Sequence, residues 1–252
     1  MNAQLFQNLL YLWVGIAIIV FVLLLYVKVP YGRHTSKKWG PGLQNKWAWL
    51  IMEFPAILSF SYFLFTGDKE LSVMVWIIYG LFMLHYIRRT FVYPFQMREN
   101  GKTMPIVIVL AGISFNIING FFNGYWFGNM APTYDISWFY DIRFILGSIL
   151  FISGMYINIK SDQIVLNLRK GGRIGYYIPQ KGLYKYISAP NLLGEIIEWI
   201  GWGLLSWCLP TFSFALWSMA NLIPRSLDHH RWYKKKFPDY PRERKAIIPY
   251  IM

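Results

Sequence analysis

Three polar residues follow helical spacing at the start of an apolar segment. Asn191, Glu195 and Glu198 stand at positions i, i+4 and i+7, so on a helix they form one polar stripe. The segment is apolar and long enough to enter a membrane, where ionisable groups are costly and usually face a partner, a cavity or a ligand. The stripe therefore predicts a polar partner or ligand at the start of this helix.

The composition indicates a membrane protein. Of the 252 residues, 56% are hydrophobic and 15% are charged, which is too apolar for an ordinary soluble domain. Because a membrane span needs about 20 apolar residues, we predict an all-α, polytopic protein with seven transmembrane helices, the last two joined by a tight turn at Pro210. The alternative is six, with residues 192–223 as one kinked re-entrant pair. The predicted spans are residues 9–27, 47–65, 71–87, 105–127, 142–159, 192–209 and 211–223.

The loops between these spans alternate between many and few basic residues. Residues 128–141 hold no Lys or Arg, whereas the tail after residue 223 holds eight. By the positive-inside rule, the alternation predicts an N-terminus outside and a cytosolic C-terminus, and it supports an odd number of spans. The net charge of +13 is concentrated on one face, where it suits anionic lipid or, in part, a polyanionic ligand. Nucleic acid is not expected as a partner, because the basic loops contain no recognisable binding module.

The polar residues of the spans converge on the cytosolic half. Glu53 lies about two turns into the second span, and Tyr86 lies at comparable depth in the third. A channel or transporter is expected to place polar groups along its whole path or near the midplane. A blind cavity needs them at one end, which favours an enzyme or binding protein for a lipid-like molecule with a polar co-ligand. The other polar residues at this end are His85, Asn158, Asp162, Arg169, Asn191, Glu195, Glu198, Arg225, His229 and Tyr233.

Several of these residues also have a purely structural explanation. Glu53 could pair with a basic neighbour, and Glu198 could pair with a loop lysine. Asn158 and Asp162 could cap and solvate a helix end. Tyr86 could be an ordinary residue of the membrane interface, since the chain has 18 tyrosines.

Familiar catalytic motifs are absent from the sequence. It contains no glycine-rich dinucleotide fingerprint after a strand, no P-loop, no zinc-protease motif and no nucleophile elbow. The single cysteine, Cys208, excludes a disulfide framework and a cysteine metal site. The four histidines do not form a histidine-rich iron cluster, and we expect no metal. Since no repeat or linker interrupts the chain, residues 1–252 are predicted to form a single domain.

Several stretches resemble the steroid 5α-reductase family. The resemblance runs from about Trp47 to the C-terminus and is closest to the steroid-reducing members, with polyprenol and enoyl-CoA reductases more distant. The stretches that carry it are LHYIRRTFVY at 84–93, YDIRF at 140–144, GMYINIKSD at 154–162, YIPQ at 177–180, NLLGEIIEWIG at 191–201 and RKAIIPY at 244–250.

The resemblance implies seven helices that enclose an NADPH site and a steroid pocket. The implied reaction reduces the Δ4 double bond of a 3-oxo steroid, with hydride added at C5 and a proton at C4. Glu53 and Tyr86 would be the catalytic residues, which hold the 3-oxo oxygen and stabilise the enolate that forms. The implied cofactor-binding residues are Asn158, Asp162, Arg169, Tyr176, Asn191, Glu195, Arg225, His229 and Tyr233.

Two features depart from the family pattern. The turn at residues 97–102 is longer than expected, and Tyr177 stands where an arginine is common, so the contacts with the adenosine end of the cofactor are open. The rival interpretations are a reductase of another lipid enone or of a polyprenol, an isoprenylcysteine methyltransferase-like enzyme, a lipid transporter and a non-catalytic sterol-binding protein. The methyltransferase type usually carries a Glu-Glu pair where this chain has His229-His230.

We expect a monomeric, multi-pass integral membrane protein that contacts membrane lipid and a steroid-like substrate. Its membrane would be the endoplasmic reticulum in a eukaryote and the cytoplasmic membrane in a bacterium.

Overall fold

The computed structural model describes residues 1–30, 32–34, 37–97, 101–168 and 175–252. The described residues form eight α-helices and one pair of short antiparallel strands, β1 (Gly42–Gln44) and β2 (Thr103–Pro105). Two π-helical stretches, Arg88–Val92 and Trp126–Met130, continue α3 and α5. The α-helices are α1 (Ala3–Tyr26), α2 (Asn45–Phe65), α3 (Val73–Ile87), α4 (Tyr93–Gln96), α5 (Ile106–Tyr125), α6 (Ile142–Asn167), α7 (Pro190–Ser206) and α8 (Leu209–Lys236).

The chain divides into two compact units. The first consists of Met1–Leu10 and Val29–Asp141, and the second consists of Tyr11–Lys28 and Ile142–Met252. Helix α1 therefore contributes its first turns to one unit and the rest to the other. The single domain predicted from the sequence stays a prediction.

In the first unit, α2 packs closely on α5 through small residues. A Cβ added to Gly120 would lie 2.6 Å from the Ser59 Cβ, and one added to Gly124 would lie 2.6 Å from the Phe60 carbonyl oxygen. The Ser59 hydroxyl donates a 2.7 Å hydrogen bond to the carbonyl of Ile117. Small residues at such a contact let two helix backbones approach closely. The resulting van der Waals contacts favour helix association in lipid, where the hydrophobic driving force between helices is small.

In the second unit, four glycines place α6 directly against α7. Gly147 and Gly154 on α6 face Gly201 and Gly194 on α7, so the two helices run antiparallel. A Cβ on Gly154 would lie 2.3 Å from the Glu198 backbone nitrogen, and one on Gly194 would lie 2.5 Å from that of Asn158. These distances leave no room for any side chain. The contact fixes the axial position of α6 relative to α7, and so determines which polar residues of the two helices meet.

A two-residue turn separates α7 from α8. Helix α7 ends at Ser206, Trp207 adopts a left-handed conformation with φ of 47°, and Pro210 stands in the first turn of α8. Proline suits that position because the first helical amides need no intrahelical acceptor. The Ser206 hydroxyl donates to Thr211 Oγ1 at 2.8 Å and ties the two helix ends together. The structure thus has a tight turn between the two helices, as predicted, but at Trp207–Cys208 rather than at Pro210 itself.

Four helices of the described chain are long and apolar enough to cross a membrane. Their ranges are Ala3–Tyr26, Asn45–Phe65, Ile106–Met130 and Ile142–Asn167. They match four of the predicted spans and support a mostly helical integral membrane protein. Helices α3 and α7, at 15 and 17 residues, also coincide with predicted spans but are shorter. The count of seven spans and the orientation stay predictions.

Candidate active site

The first unit brings Glu53 and Tyr86 together through a third residue, Asn116. The Tyr86 hydroxyl donates to Asn116 Oδ1 at 3.2 Å. Asn116 Nδ2 donates to the Met52 carbonyl at 2.7 Å and reaches Glu53 Oε2 at 3.5 Å. Glu53, Tyr86 and Asn116 are all buried. The cluster therefore joins α2, α3 and α5 by buried polar contacts, and the Tyr86 ring lies 4.4 Å from that of Phe82.

Arg89 completes this cluster from the π-helical stretch after α3. Its Nε donates to Glu53 Oε1 at 3.2 Å, and its guanidinium lies 4.5 Å from the centre of the Trp49 ring. Single π-helical turns occur often at functional sites, because the extra residue turns side chains away from the regular helical spacing. The pairing of Glu53 with a basic neighbour, an alternative left open by the sequence, is what the structure shows.

The sequence analysis did not single out Asn116 or Arg89. Asn116 carried a usable signal, because it lies in an apolar span midway between Gly112 and Gly120 at a spacing of four. Arg89 lies just after the third predicted span, where a basic residue also fits the loop charge that sets orientation. Its place three residues after Tyr86 is the signal that could have found it.

The second unit gathers four of the predicted cofactor residues in one hydrogen-bonded network. Asn191 Nδ2 donates to Asp162 Oδ1 at 3.1 Å, so the start of α7 is joined to the end of α6. Asn158 Nδ2 donates to the Asn191 carbonyl at 3.0 Å and reaches Glu195 Oε2 at 3.5 Å. Asn158, Asp162 and Glu195 are buried. The polar stripe predicted from spacing lies on one face of α7 and meets the polar end of α6.

Three further predicted residues lie on α8, which continues well past the predicted end of its span. Arg225, His229 and Tyr233 follow one another at a spacing of four on this single helix. His229 and Tyr233 are buried, and Arg225 is partly buried. Tyr176 lies in the same unit, with its ring 4.7 Å from that of Trp232. Arg169 lies outside the described residues.

The C-terminal segment forms a second polar cluster that the sequence analysis missed. The Ser188 hydroxyl lies 2.6 Å from His230 Nδ1 and 2.7 Å from the Tyr240 hydroxyl. Burial raises the pKa of Tyr240. Burial, followed by the charges of Lys234 and Lys245, lowers the pKa of His230. The neutral forms of both residues are therefore favoured at neutral pH.

Buried Arg244 extends this cluster. It donates through Nη1 to the Pro179 carbonyl at 2.9 Å and through Nη2 to Gln180 Oε1 at 2.5 Å. These bonds attach the C-terminal segment to the loop before α7. Among the described residues, no group of three or more His, Cys, Asp or Glu side chains is placed to hold a metal ion.

Comparison with known proteins identifies the family. The family model described as 3-oxo-5-alpha-steroid 4-dehydrogenase matches residues 102–252. Human 3-oxo-5-alpha-steroid 4-dehydrogenase 2 is 44% identical over 236 residues, which cover 91% of this chain and 91% of the human protein. Bovine 3-oxo-5-alpha-steroid 4-dehydrogenase 1 is 38% identical over 98% of this chain and 97% of its own length. Steroid 5-alpha-reductase DET2 of Arabidopsis thaliana is 38% identical over 91% of this chain and 90% of its own length. Because both the family model and relatives of nearly equal length match, the chain belongs to the 3-oxo-5-alpha-steroid 4-dehydrogenase family, the steroid 5-alpha-reductases.

Proposed function

We propose that the protein reduces the Δ4 double bond of 3-oxo-Δ4 steroids to 5α-reduced 3-oxo steroids, with NADPH as the reductant. The observation that carries the proposal, beside family membership, is the buried cluster of Tyr86, Asn116 and Glu53. It holds a buried hydroxyl donor beside an aromatic ring, that of Phe82, which suits a large apolar molecule with one carbonyl oxygen.

The chemistry explains why a donor is needed. NADPH, when bound, supplies the hydride that adds to C5. The electron pair of the C4–C5 double bond then moves toward C3, so the 3-oxo oxygen gains negative charge as an enolate. A proton from the medium is added at C4, which restores the ketone. A hydrogen-bond donor placed at the oxygen stabilises this charge more strongly in the transition state than in the bound ketone.

Tyr86 is the donor that the cluster offers most directly. Its hydroxyl proton is directed to Asn116 Oδ1, and the substrate oxygen competes with that amide oxygen for it. Glu53 can donate to the substrate only in its protonated form, whereas in its ion pair with Arg89 it acts as an acceptor. We assign both residues to the 3-oxo oxygen, with Tyr86 as the principal donor and Glu53 as a donor in its protonated form. Asn116 and Arg89 are positioning residues.

The network of the second unit supports nucleotide binding. Its buried amides and carboxylates suit an uncharged carboxamide and ribose hydroxyls, which need both donors and acceptors. Arg225 is a cation on the same α8 face as His229 and Tyr233, and it suits a phosphate. The residues that would hold NADPH are Asn158, Asp162, Tyr176, Asn191, Glu195, Arg225, His229 and Tyr233, together with Arg169 outside the described residues.

The test is reduction by purified protein in lipid nanodiscs. NADPH or NADH is offered with a panel of 3-oxo-Δ4 steroids and polyprenols, and the products are identified by mass spectrometry and the stereochemistry at C5. We expect 5α-reduced 3-oxo steroids and a preference for NADPH, because the 2′-phosphate meets an excess of basic residues. Reduction of polyprenols alone would contradict the proposed substrate, and steroid binding without nucleotide oxidation would contradict catalysis.

A further inference from the structure

Ser188 is the centre of a contact that joins three separate parts of the second unit. Its hydroxyl meets His230 Nδ1 at 2.6 Å and the Tyr240 hydroxyl at 2.7 Å, and lies 3.2 Å from the Lys245 carbonyl. These residues come from the loop before α7, from α8 and from the C-terminal segment. We call Ser188, His230 and Tyr240 the C-terminal latch.

Backbone hydrogen bonds hold the latch in register. The Lys245 amide donates to the Tyr186 carbonyl at 2.9 Å, and the Ser188 amide donates to the Lys245 carbonyl at 2.9 Å. The Ala189 amide continues the pairing to the Ala246 carbonyl at 3.2 Å. The C-terminal segment thus runs beside the residues that immediately precede α7. A shift of either segment would displace the Ser188 hydroxyl.

Each latch residue contacts a residue that we assign to the nucleotide or lies within three residues of one along the chain, although none belongs to that set itself. The Tyr240 ring stacks on that of Tyr233 with centroids 5.2 Å apart and planes 12° apart. Ser188 lies three residues before Asn191, with Pro190 as the first residue of α7. His230 follows His229 directly on α8. The latch therefore holds the start of α7 and the end of α8 at one point.

The protons of the latch can be assigned from its chemistry. The raised pKa of Tyr240 keeps its phenol protonated, so Tyr240 can donate to Ser188 Oγ. Ser188 can then donate to His230 Nδ1, which is an acceptor when the imidazole carries its proton on Nε2. In this arrangement each hydroxyl donates once, and a buried serine has a partner on either side.

We propose that the C-terminal latch positions Asn191, His229 and Tyr233 for the nucleotide, so that Ser188, His230 and Tyr240 set nucleotide affinity without touching it. The inference rests on the proposed function, because it takes the nucleotide to be bound by this unit. It predicts weaker nucleotide binding when the latch is broken, whereas a latch that only stabilises the fold would lower the melting midpoint and leave nucleotide affinity unchanged.

The test removes single hydroxyls. Tyr240→Phe keeps the ring that stacks on Tyr233 but loses its bond to Ser188, and Ser188→Ala removes the centre of the latch. NADPH dissociation constants are measured by nucleotide fluorescence in nanodiscs, with steroid KM, kcat at saturating NADPH and the melting midpoint. Tyr186→Phe is the control for Tyr240→Phe, since it removes the hydroxyl of an exposed tyrosine in the same unit. Ser213→Ala is the control for Ser188→Ala, since the hydroxyl of this buried serine donates to the nearby Pro210 carbonyl at 2.7 Å, within its own helix.

We expect Tyr240→Phe and Ser188→Ala each to weaken NADPH binding about threefold to tenfold, the loss typical of one hydrogen bond. The fold-loss of NADPH affinity in the double variant should be smaller than the product of the two single-variant losses, because both substitutions break the same contact. The steroid KM and the kcat at saturating NADPH should stay within about twofold of the parent, and both controls should match the parent.

A lower melting midpoint with unchanged NADPH affinity would show that the latch only stabilises the fold and would overturn the inference. A loss of kcat at saturating NADPH with unchanged affinity would overturn it as well. If Ser188→Ala does not fold, the milder Tyr240→Phe and His230→Gln decide the question. If the parent protein binds no NADPH, the proposed function and the inference are both contradicted. If the parent binds NADPH and every latch variant binds it equally tightly, only the inference is contradicted.

Discussion

The Tyr86 hydroxyl donates to Asn116 Oδ1 at 3.2 Å, so the side chain assigned to catalysis already has an acceptor in the structure. Asn116 is in turn held by the Met52 carbonyl at 2.7 Å, which fixes its amide oxygen toward Tyr86. When substrate binds, the Tyr86 hydroxyl therefore exchanges the Asn116 oxygen for the substrate oxygen as its acceptor. The substrate does not have to order a freely rotating hydroxyl. Such preorganisation reduces the cost of aligning the donor as charge develops.

Removal of the Tyr86 hydroxyl should slow hydride transfer. We expect Tyr86→Phe to lower the single-turnover rate about 10²- to 10³-fold, roughly 3–4 kcal/mol, with NADPH affinity nearly unchanged. Tyr79→Phe is the control, because Tyr79 lies two turns earlier on α3 and its hydroxyl contacts Ser61 Oγ at 2.8 Å. The measurement is rapid-mixing single turnover with saturating NADPH and steroid. A parental rate in Tyr86→Phe would mean that this tyrosine is structural.

Two substitutions of Glu53 separate its charge from its ability to donate. Glu53→Gln keeps a donor and can still contact Asn116 and Arg89, whereas Glu53→Ala removes every contact and leaves Arg89 partly buried beside Trp49. We expect Glu53→Gln to retain at least about tenfold more hydride-transfer activity than Glu53→Ala. Single-turnover rates beside melting midpoints make the comparison. If the two variants are equally slow although both are folded, the carboxylate itself is required and the assignment of Glu53 as a donor is wrong.

Glu195 should affect the nucleotide more than the steroid. Its carboxylate lies 3.5 Å from Asn158 Nδ2 in the network that joins α6 to α7. We expect Glu195→Ala to weaken NADPH binding about tenfold or more, since a hydrogen bond to a charged group contributes roughly 1.5–3 kcal/mol, with steroid affinity little changed. Separate titrations of the two ligands provide the measurement. Normal nucleotide affinity with lost steroid affinity would reverse our assignment.

The sequence predicted the helices and the polar stripe well, because both follow from spacing along one helix. Asn191, Glu195 and the α6 residues Asn158 and Asp162 came together as expected once two apolar segments were paired. The latch could not be predicted in the same way, since Ser188 and Tyr240 are 52 residues apart and their contact depends on the parallel pairing of two irregular segments. Arg89 was missed because a basic residue after the third predicted span also fits the loop charge that sets orientation.

The glycines between α6 and α7 should be sensitive to a single methyl group. In Gly194→Ala the new Cβ would lie 2.5 Å from the Asn158 nitrogen and 2.7 Å from the Gly154 carbonyl oxygen, so the helices must separate. We expect a loss of about 1–3 kcal/mol in unfolding free energy and weaker NADPH binding, because Asn158 moves away from Asn191. Gly80→Ala on α3 is the control, since nothing lies within 4 Å of its added Cβ, and it should be neutral or slightly stabilising. The measurements are thermal unfolding in nanodiscs and NADPH titration. Equal stability and equal NADPH affinity of the two variants would contradict this packing.

His230 should make stability depend on pH in a defined window. Burial and the charges of Lys234 on α8 and Lys245 in the C-terminal segment lower its pKa below the ordinary value of 6.5, while the groups that contact its ring, Ser188 and Tyr240, are uncharged. Above about pH 6.5 the imidazole is neutral in both the folded and unfolded chain, so it adds no pH dependence.

As the pH falls below 6.5, the unfolded chain takes up a proton before the folded chain does, so the folded state loses stability until the folded pKa is passed. His230→Gln keeps a hydrogen-bonding group beside Ser188 but cannot titrate. We expect the melting midpoint of this variant to fall less than that of the parent between pH 6.5 and 5, and the two curves to run parallel between pH 7 and 8. Curves that stay parallel down to pH 5 would show that His230 gains its proton in the folded protein as easily as in the unfolded chain, and a steeper fall in the variant would reverse the assigned direction.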